Sequence, residues 1–272
     1  MPIISKITIA KKRKDRFHVY ITDPKSKEEQ YGFTVSEDIL IRRHLSKGLE
    51  LSEEDIETIR SEDNIDKAFQ KTLNYLSYRM RSEKEVLDYL KDMDIPNEKA
   101  LQILDRLKEL QFLDDQMFAN AFVRTKKNTQ KKGPKLIEQE LYEKGISQKR
   151  IDVALQEYPL QEQIDNAIAV AIKKSSSYRS DGLRMRKQKL YQFLLQKGYT
   201  SNVINEAIEV SLKEQDVEDV EWTALNKQGE KALKKFSKYD EWEQNQRIKQ
   251  QLYQKGFTMD LIDRWLQGNK ER

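Results

Sequence analysis

The stretch IEQELYEKGIS, residues 137–147, decides the fold, because the chain repeats it. VLDYLKDMDIP (86–96), LYQFLLQKGYT (190–200) and IKQQLYQKGFT (248–258) align with it without gaps. The last three copies share Leu-x-x-Lys-Gly, then an apolar residue, then Ser or Thr. Gly145, Gly198 and Gly256 occupy the shared position, and Asp94 stands there in the first copy. The spacings are 51, 53 and 58 residues, a period that marks stacked supersecondary units.

The shared motif reads as a helix corner. Glycine suits the left-handed residue that follows a helix, and Leu141 and Ile146 then occupy the two positions that touch in a Schellman ending. Leu194 with Tyr199, and Leu252 with Phe257, repeat the pair. Lys144, Lys197 and Lys255 sit at the negative end of the helix dipole. Ser147, Thr200 and Thr258 follow as N-caps of the next helix. Asp94 tolerates the left-handed region less well than glycine, so the first corner is expected to be looser, with Pro96 at the cap and Asn97 as its substitute.

Apolar stripes resume after each corner, at Ala100/Ile103/Leu104, Ile151/Ala154/Leu155, Ile204/Ala207/Ile208 and Ile262/Trp265/Leu266. A less regular helix precedes each corner, at 65–78, 114–126, 162–174 and 221–236. Three helices per unit follow. Trp222, Trp242 and Trp265 all fall in the fourth unit and read as core of a terminal cap.

The first 35 residues have a period of two instead. Ile3, Ile4, Ile7 and Ile9 form one β-branched run; Phe17, Val19 and Ile21 alternate in a second, and Tyr31, Phe33 and Val35 in a third. The basic run KKRKDR (11–16) and an Asp-Pro-Lys turn (23–25) separate them. Ser36 and Ser52 each open a short acidic-start helix. The expected fold is therefore mainly α: tandem three-helix repeats in an elongated curved array, preceded by a small N-terminal β-rich (α+β) module. The expected division is a strand-rich module at 1–60 and repeats at 61–112, 113–158, 159–213 and 214–272. SEDN (61–64), Tyr158–Pro159 and the acidic stretch 214–221 mark the boundaries.

Composition excludes much. Charged residues make up 35% of the 272, so the core is thin and spread out. Cysteine is absent, which removes disulfides, thiolate metal sites and a cysteine nucleophile. The longest apolar run, Ala167–Ile172, is far too short to span a bilayer, and no signal peptide is legible in MPIISKITIAKKRK. No two glycines lie closer than 12 residues, so neither a Walker loop nor a dinucleotide turn can form. The only histidines, His18 and His44, fall in the strand module and read as structural. No catalytic, cofactor-binding or metal-ligating residue is assigned. The carboxylates lie in helix first turns or solvated runs.

Cations are the remaining candidates. Net charge is only +4, but its distribution is uneven. Arg124, Lys126, Lys127, Lys131, Lys132 and Lys135 form an acid-free cluster. Lys173, Lys174, Arg179, Arg184, Arg186, Lys187 and Lys189 form a second, with one acid and with Tyr178 interleaved. Both fall between the first and second helices of their repeats. Phosphate binding by such groups is sequence-independent and weakens with salt, and Tyr178 is a candidate base-stacking ring. The competing reading is a solvated connection between helices.

Three stretches together resemble the RecX family: LSYRMRSEKEVLDYL (76–90), LQFLDDQMFANAFV (110–123) and GPKLIEQELYEKGI (133–146). The family's R-x-R-S-x-x-E helix start falls on Arg79, Arg81, Ser82 and Glu85. Its L-x-D-x-x-F-A segment falls on Leu113, Asp115, Phe118 and Ala119. Its G-P-x-x-I-x-x-x-L-x-x-K-G-I stretch falls on Gly133, Pro134, Ile137, Leu141, Lys144, Gly145 and Ile146. Leu-Asp-Asp stands where Leu-Asn-Asp is more usual, and the fourth repeat is similar to the longer Gram-positive members. The resemblance implies a cytoplasmic, monomeric, non-enzymatic regulator without cofactors, acting in homologous recombination, DNA repair and the SOS response. Its partners would be the RecA filament and DNA, met directly or through the filament, with no membrane involved. Restraint of strand exchange, ATP turnover and LexA self-cleavage is implied. A sequence-independent nucleic-acid binder acting without RecA is the alternative.

Overall fold

The computed structural model describes residues 1–11, 13–23, 28–213 and 217–270. Lys12 of the basic opening run, most of the Asp-Pro-Lys turn and residues 214–216 of the acidic stretch lie outside them. The described residues divide into two compact units, one within 1–115 and one within 116–272.

In the first unit the three alternating runs form strands β1 (Ile3–Ala10), β2 (Arg13–Thr22) and β3 (Glu29–Ser36), an antiparallel meander in the order β1-β2-β3. Ile4 pairs with Ile21 and Val19 with Phe33, which puts the branched side chains on one face. That face packs on α1 (Glu37–Arg42), Leu45, Leu51 and the start of α2 (Glu53–Ser77). Ser36 caps α1, and Ser52 with Asp55 forms a capping box for α2.

The expected break at 61–64 does not occur. One 25-residue helix runs straight through it. The four residues contain no helix breaker, and their acids are anchors. Arg16 of β2 donates to Asp63 at 2.5 Å with both side chains buried, and Arg43 pairs with Glu62. Thus α2 serves two cores, giving Ile56 and Ile59 to the sheet and Ala68 and Phe69 to the first repeat.

The first repeat continues with α3 (Glu83–Asp92) and α4 (Asn97–Glu109). The second is α5 (Asp115–Thr129), α6 (Pro134–Glu143) and α7 (Gln148–Leu155). The third is α8 (Leu160–Ser175), α9 (Leu183–Gln196) and α10 (Ser201–Lys213). The fourth is α11 (Val217–Lys235), α12 (Glu241–Gln254) and α13 (Met259–Lys270). Each repeat buries its own apolar cluster. Trp265 lies in the fourth core, but Trp242 is 73% exposed, against the expectation that all three tryptophans are core. Six residues before the buried Ile248, it stands about 120° around α12 from that side chain and so faces out.

All four corners close as Schellman endings. Ile146 N–H donates to Leu141 O at 3.1 Å, and Gly145 N–H to Tyr142 O at 2.9 Å. Gly145, Gly198 and Gly256 have φ of 81°, 90° and 92°. The first corner is not looser. Asp94 takes φ 58°, and Ile95 N–H still reaches Leu90 O at 3.2 Å. Burial of Leu90 on the repeat core holds the turn despite the roughly 1 kcal/mol that a Cβ costs there. Ser147 and Pro96 occupy N-cap positions without side-chain cap bonds, and Asn97 is already helical, so backbone carbonyls start those helices.

Within the second unit, successive repeats join head to tail through their middle helices. Gly133, at the N-cap of α6, donates to Lys197 O at 2.8 Å, and Lys135 N–H donates to Gly198 O at 3.1 Å. Gly182, at the N-cap of α9, donates to Lys255 O at 2.9 Å. The orphan amides of one helix start therefore satisfy the orphan carbonyls of the next helix end. A Cβ on Gly133 would lie 2.4 Å from the backbone of Gly198, and one on Gly182 would lie 2.4 Å from that of Gly256. Only glycine allows this approach. Relative to α6, α9 and α12 carry one extra N-terminal turn, 14 residues against 10.

Candidate partner-binding surface

The two basic clusters occupy the connections that lead into the two head-to-tail junctions. In the first, most cations turn inward. Lys127 is buried. Its Nζ donates to Glu157 O at 2.5 Å and to Glu162 at 2.6 Å, and lies over the Tyr158 ring. Lys131 Nζ donates to Asn166 Oδ1 at 2.6 Å. Asn166 in turn donates to Lys127 O and Tyr158 Oη, while Tyr199 Oη donates to Lys131 O at 2.8 Å. Burial pushes both Tyr158 and Tyr199 above the usual tyrosine range, so both hydroxyls stay protonated. This buried network wires the connection into the seam between the second and third repeats.

Lys126 and Lys132 converge on Glu140 of α6. Burial alone would raise the Glu140 carboxyl, but the hydrogen bonds from the two lysines outweigh it and hold it below the usual range. Arg124, which approaches Glu157 at 3.4 Å, and Lys135 stay exposed.

The second cluster is divided differently. Arg186, in the extra turn of α9, is the largest fully buried side chain, so it is withdrawn from any surface, as Lys127 is. Burial lowers its pKa, opposed by Glu221, with Arg179 adding to the fall and Asp181 opposing it. Lys189 pairs with Asp181 at 2.6 Å. Tyr178, in a single 3-10 turn, is half-buried against the third core, with Lys174 and Lys189 at 5.3 and 5.5 Å from its ring. Both ammoniums lie within cation–π reach of the ring. Lys173, Arg179, Arg184 and Lys187 are exposed. Arg179 lines a 540 Å³ cavity with Ser176, Ser177, Ser180 and, from α11, Lys227, a cation that the sequence reading did not single out.

The residues that carry the family resemblance form a brace at the start of α3. Ser82 and Glu85 make the expected capping box, and Arg79 pairs with Glu85 at 2.9 Å. Arg81 stacks on Tyr75 at 3.9 Å, and Asp115 accepts the Glu83 amide at 2.8 Å.

Family models describe this arrangement domain by domain. The regulatory protein RecX N-terminal domain matches residues 2–52, and the first and second RecX three-helix domains match 68–107 and 114–155. The third RecX three-helix domain matches twice, at 161–208 and 219–266. The chain belongs to the RecX family. The regulatory protein RecX of Halalkalibacterium halodurans is 42% identical, covering 98% of this chain and 99% of its own. That of Oceanobacillus iheyensis is 41% identical, covering 98% and 97%. A crystal structure of regulatory protein RecX superposes with a TM-score of 0.66 at 39% identity, covering 75% of this chain and 98% of that one. RecX from Lactobacillus salivarius gives 0.52 at 36% identity, covering 55% and 97%. The fourth repeat of this RecX chain is thus a second copy of the third domain. These relatives are described as regulatory proteins, and no helix among the described residues is long and apolar enough to cross a membrane.

Proposed function

We propose that this protein regulates the RecA recombinase, binding the RecA–DNA filament and restraining recombination, ATP turnover and coprotease activity. It acts as a cytoplasmic, non-enzymatic monomer in homologous recombination, DNA repair and the SOS response. Membership of the RecX family along the whole chain is the observation that supports this reading. The cations that remain exposed, Arg124, Lys135, Lys173, Arg179, Arg184 and Lys187, are the proposed contacts to the filament or its DNA. The test is the single-stranded-DNA-dependent ATPase of RecA, titrated with purified protein, together with co-sedimentation on RecA filaments. ATPase should fall and the protein should pellet with the filament. Unchanged ATPase at every ratio, or no co-sedimentation, overturns the reading.

A further inference from the structure

We propose that the exposed faces of α6, α9 and α12 form one continuous track that seats a single strand of nucleic acid. This goes beyond the RecA reading and does not depend on it, because the track is a property of this chain alone.

The head-to-tail junctions make the track continuous. The start of α6 abuts the end of α9, and the start of α9 abuts the end of α12. Counting back from each corner glycine, the same registers face out. Three residues before it stand Tyr142, Leu195 and Tyr253, all exposed. Six residues before it stand Gln139, Gln192 and Gln250, again exposed. Ten before it stand Lys135, Gln188 and Gln246. The rows meet across a junction where Arg184 of α9 lies 4.1 Å over the Tyr253 ring and donates to Tyr253 O at 2.7 Å. At the far end, Trp242 opens α12.

This combination suits a strand rather than a duplex. Exposed rings offer faces to unpaired bases, which a duplex keeps hidden. Glutamines donate and accept hydrogen bonds without selecting a charge. Lys135, Arg184 and Lys187 supply phosphate contacts. α9 contains no acid at all. The acids bordering the track are Glu138, which accepts from Gln148, Glu143, which accepts from Gln139, and on α12 Glu241 and Glu243, the latter paired with Arg247. Beside α9 an open cavity of 560 Å³, lined by Lys187, Gln188, Tyr191, Asn205, Ile208 and Glu209, offers room for a base off the track. In the first repeat Asp88 takes the glutamine register, so the row of glutamines starts at the second repeat.

The experiment is fluorescence anisotropy of a labelled oligo-dT of about 20 nucleotides with the full-length protein, without RecA. Trp242→Ala and Tyr253→Ala should each weaken binding about tenfold, and Tyr253→Phe should restore it. Gln192→Glu, on the wholly acid-free helix, should weaken it as well. A duplex of the same length should bind less tightly than the strand. Oligo-dT affinities unchanged in both alanine variants and in Gln192→Glu, with the fold intact by circular dichroism, overturn the proposal. So does a duplex that binds as tightly as the strand, because the exposed rings would then have no role. Co-sedimentation of the same variants with RecA separates the two readings: strand binding lost with filament binding kept supports a track distinct from the filament contact. If the wild-type protein binds oligo-dT only when RecA is present, the track is overturned and the RecA reading stands.

Discussion

The two basic connections look alike along the chain and differ in space. Both join the first helix of a repeat to its middle helix, and both end in a glycine docked on the next repeat's corner. In the first connection Lys127, Lys131, Lys126 and Lys132 are held by Glu162, Asn166 and Glu140. In the second, Lys173, Arg179 and Lys187 point to solvent. Local charge density therefore does not measure surface charge. An acid-free segment of chain presents fewer charges at its surface when its counter-charges arrive from elsewhere in the fold, and here only Arg124 and Lys135 among the cations of the first connection stay exposed. A solvated ammonium is free for phosphate, whereas one held by a carboxylate in a buried seam is part of the scaffold.

The largest effect should come from what the connections share. Gly133→Ala and Gly182→Ala each force a Cβ onto facing backbone at 2.4 Å. Backbone cannot swing aside as a side-chain tip does, so each should cost roughly 3 kcal/mol, the upper range for overpacking. Urea denaturation of both variants checks this. A tolerated Gly182→Ala beside a damaging Gly133→Ala would show that the fourth repeat is docked more loosely than the third.

The next effect should separate the connections. Lys127→Met removes the ammonium from Glu157 O and Glu162, and should destabilise by about 2 kcal/mol. The double reversal Arg179→Glu/Lys187→Glu changes only exposed residues and should cost under about 0.5 kcal/mol. Binding should rank the other way. The double reversal should reduce oligonucleotide affinity and flatten its dependence on salt, while Lys127→Met, below its unfolding midpoint, should leave both unchanged. If Lys127→Met lost binding at full stability, the inward assignment of the first connection would be wrong.

The corners were legible in sequence because a Schellman ending is local. Leu141, Gly145 and Ile146 lie within six positions, and the motif names them all. The failures came from partners distant in the chain. SEDN at 61–64 reads as a linker until Arg16 is seen to need Asp63. Lys127 reads as surface charge because its partners lie 30 and 35 residues away. Gly133 reads as a cap before proline, yet its lack of a side chain is explained by Gly198, a whole repeat later. Arg186 reads as one more cation because the extra turn of α9 becomes visible only when the helix starts are aligned as well as the ends. Asp94 shows the opposite error: residue type argued for a weak corner, and packing of Leu90 overrode it.

The smallest predicted effect is a pH dependence confined to the first connection. Glu140 is held below the usual carboxylate range because the hydrogen bonds from Lys132 and Lys126 outweigh the rise that burial would cause. A carboxyl whose folded pKa is lower than its unfolded one contributes its full stability above the unfolded value, about 4.3 for glutamate, and loses it as pH falls through the folded value. Glu140→Gln removes that contribution while keeping shape and one acceptor for the lysines. Relative to the parent, the variant should be less stable at pH 7, and the gap should close as pH falls from about 5 downward. Urea midpoints across that range measure it. A gap that stays constant with pH would mean that Glu140 acts through packing and not through its charge, and that the two lysines are less tightly committed than their geometry indicates. They would then return to the pool of cations free for a phosphate backbone, and the contrast between the two connections would shrink to Lys127 and Lys131.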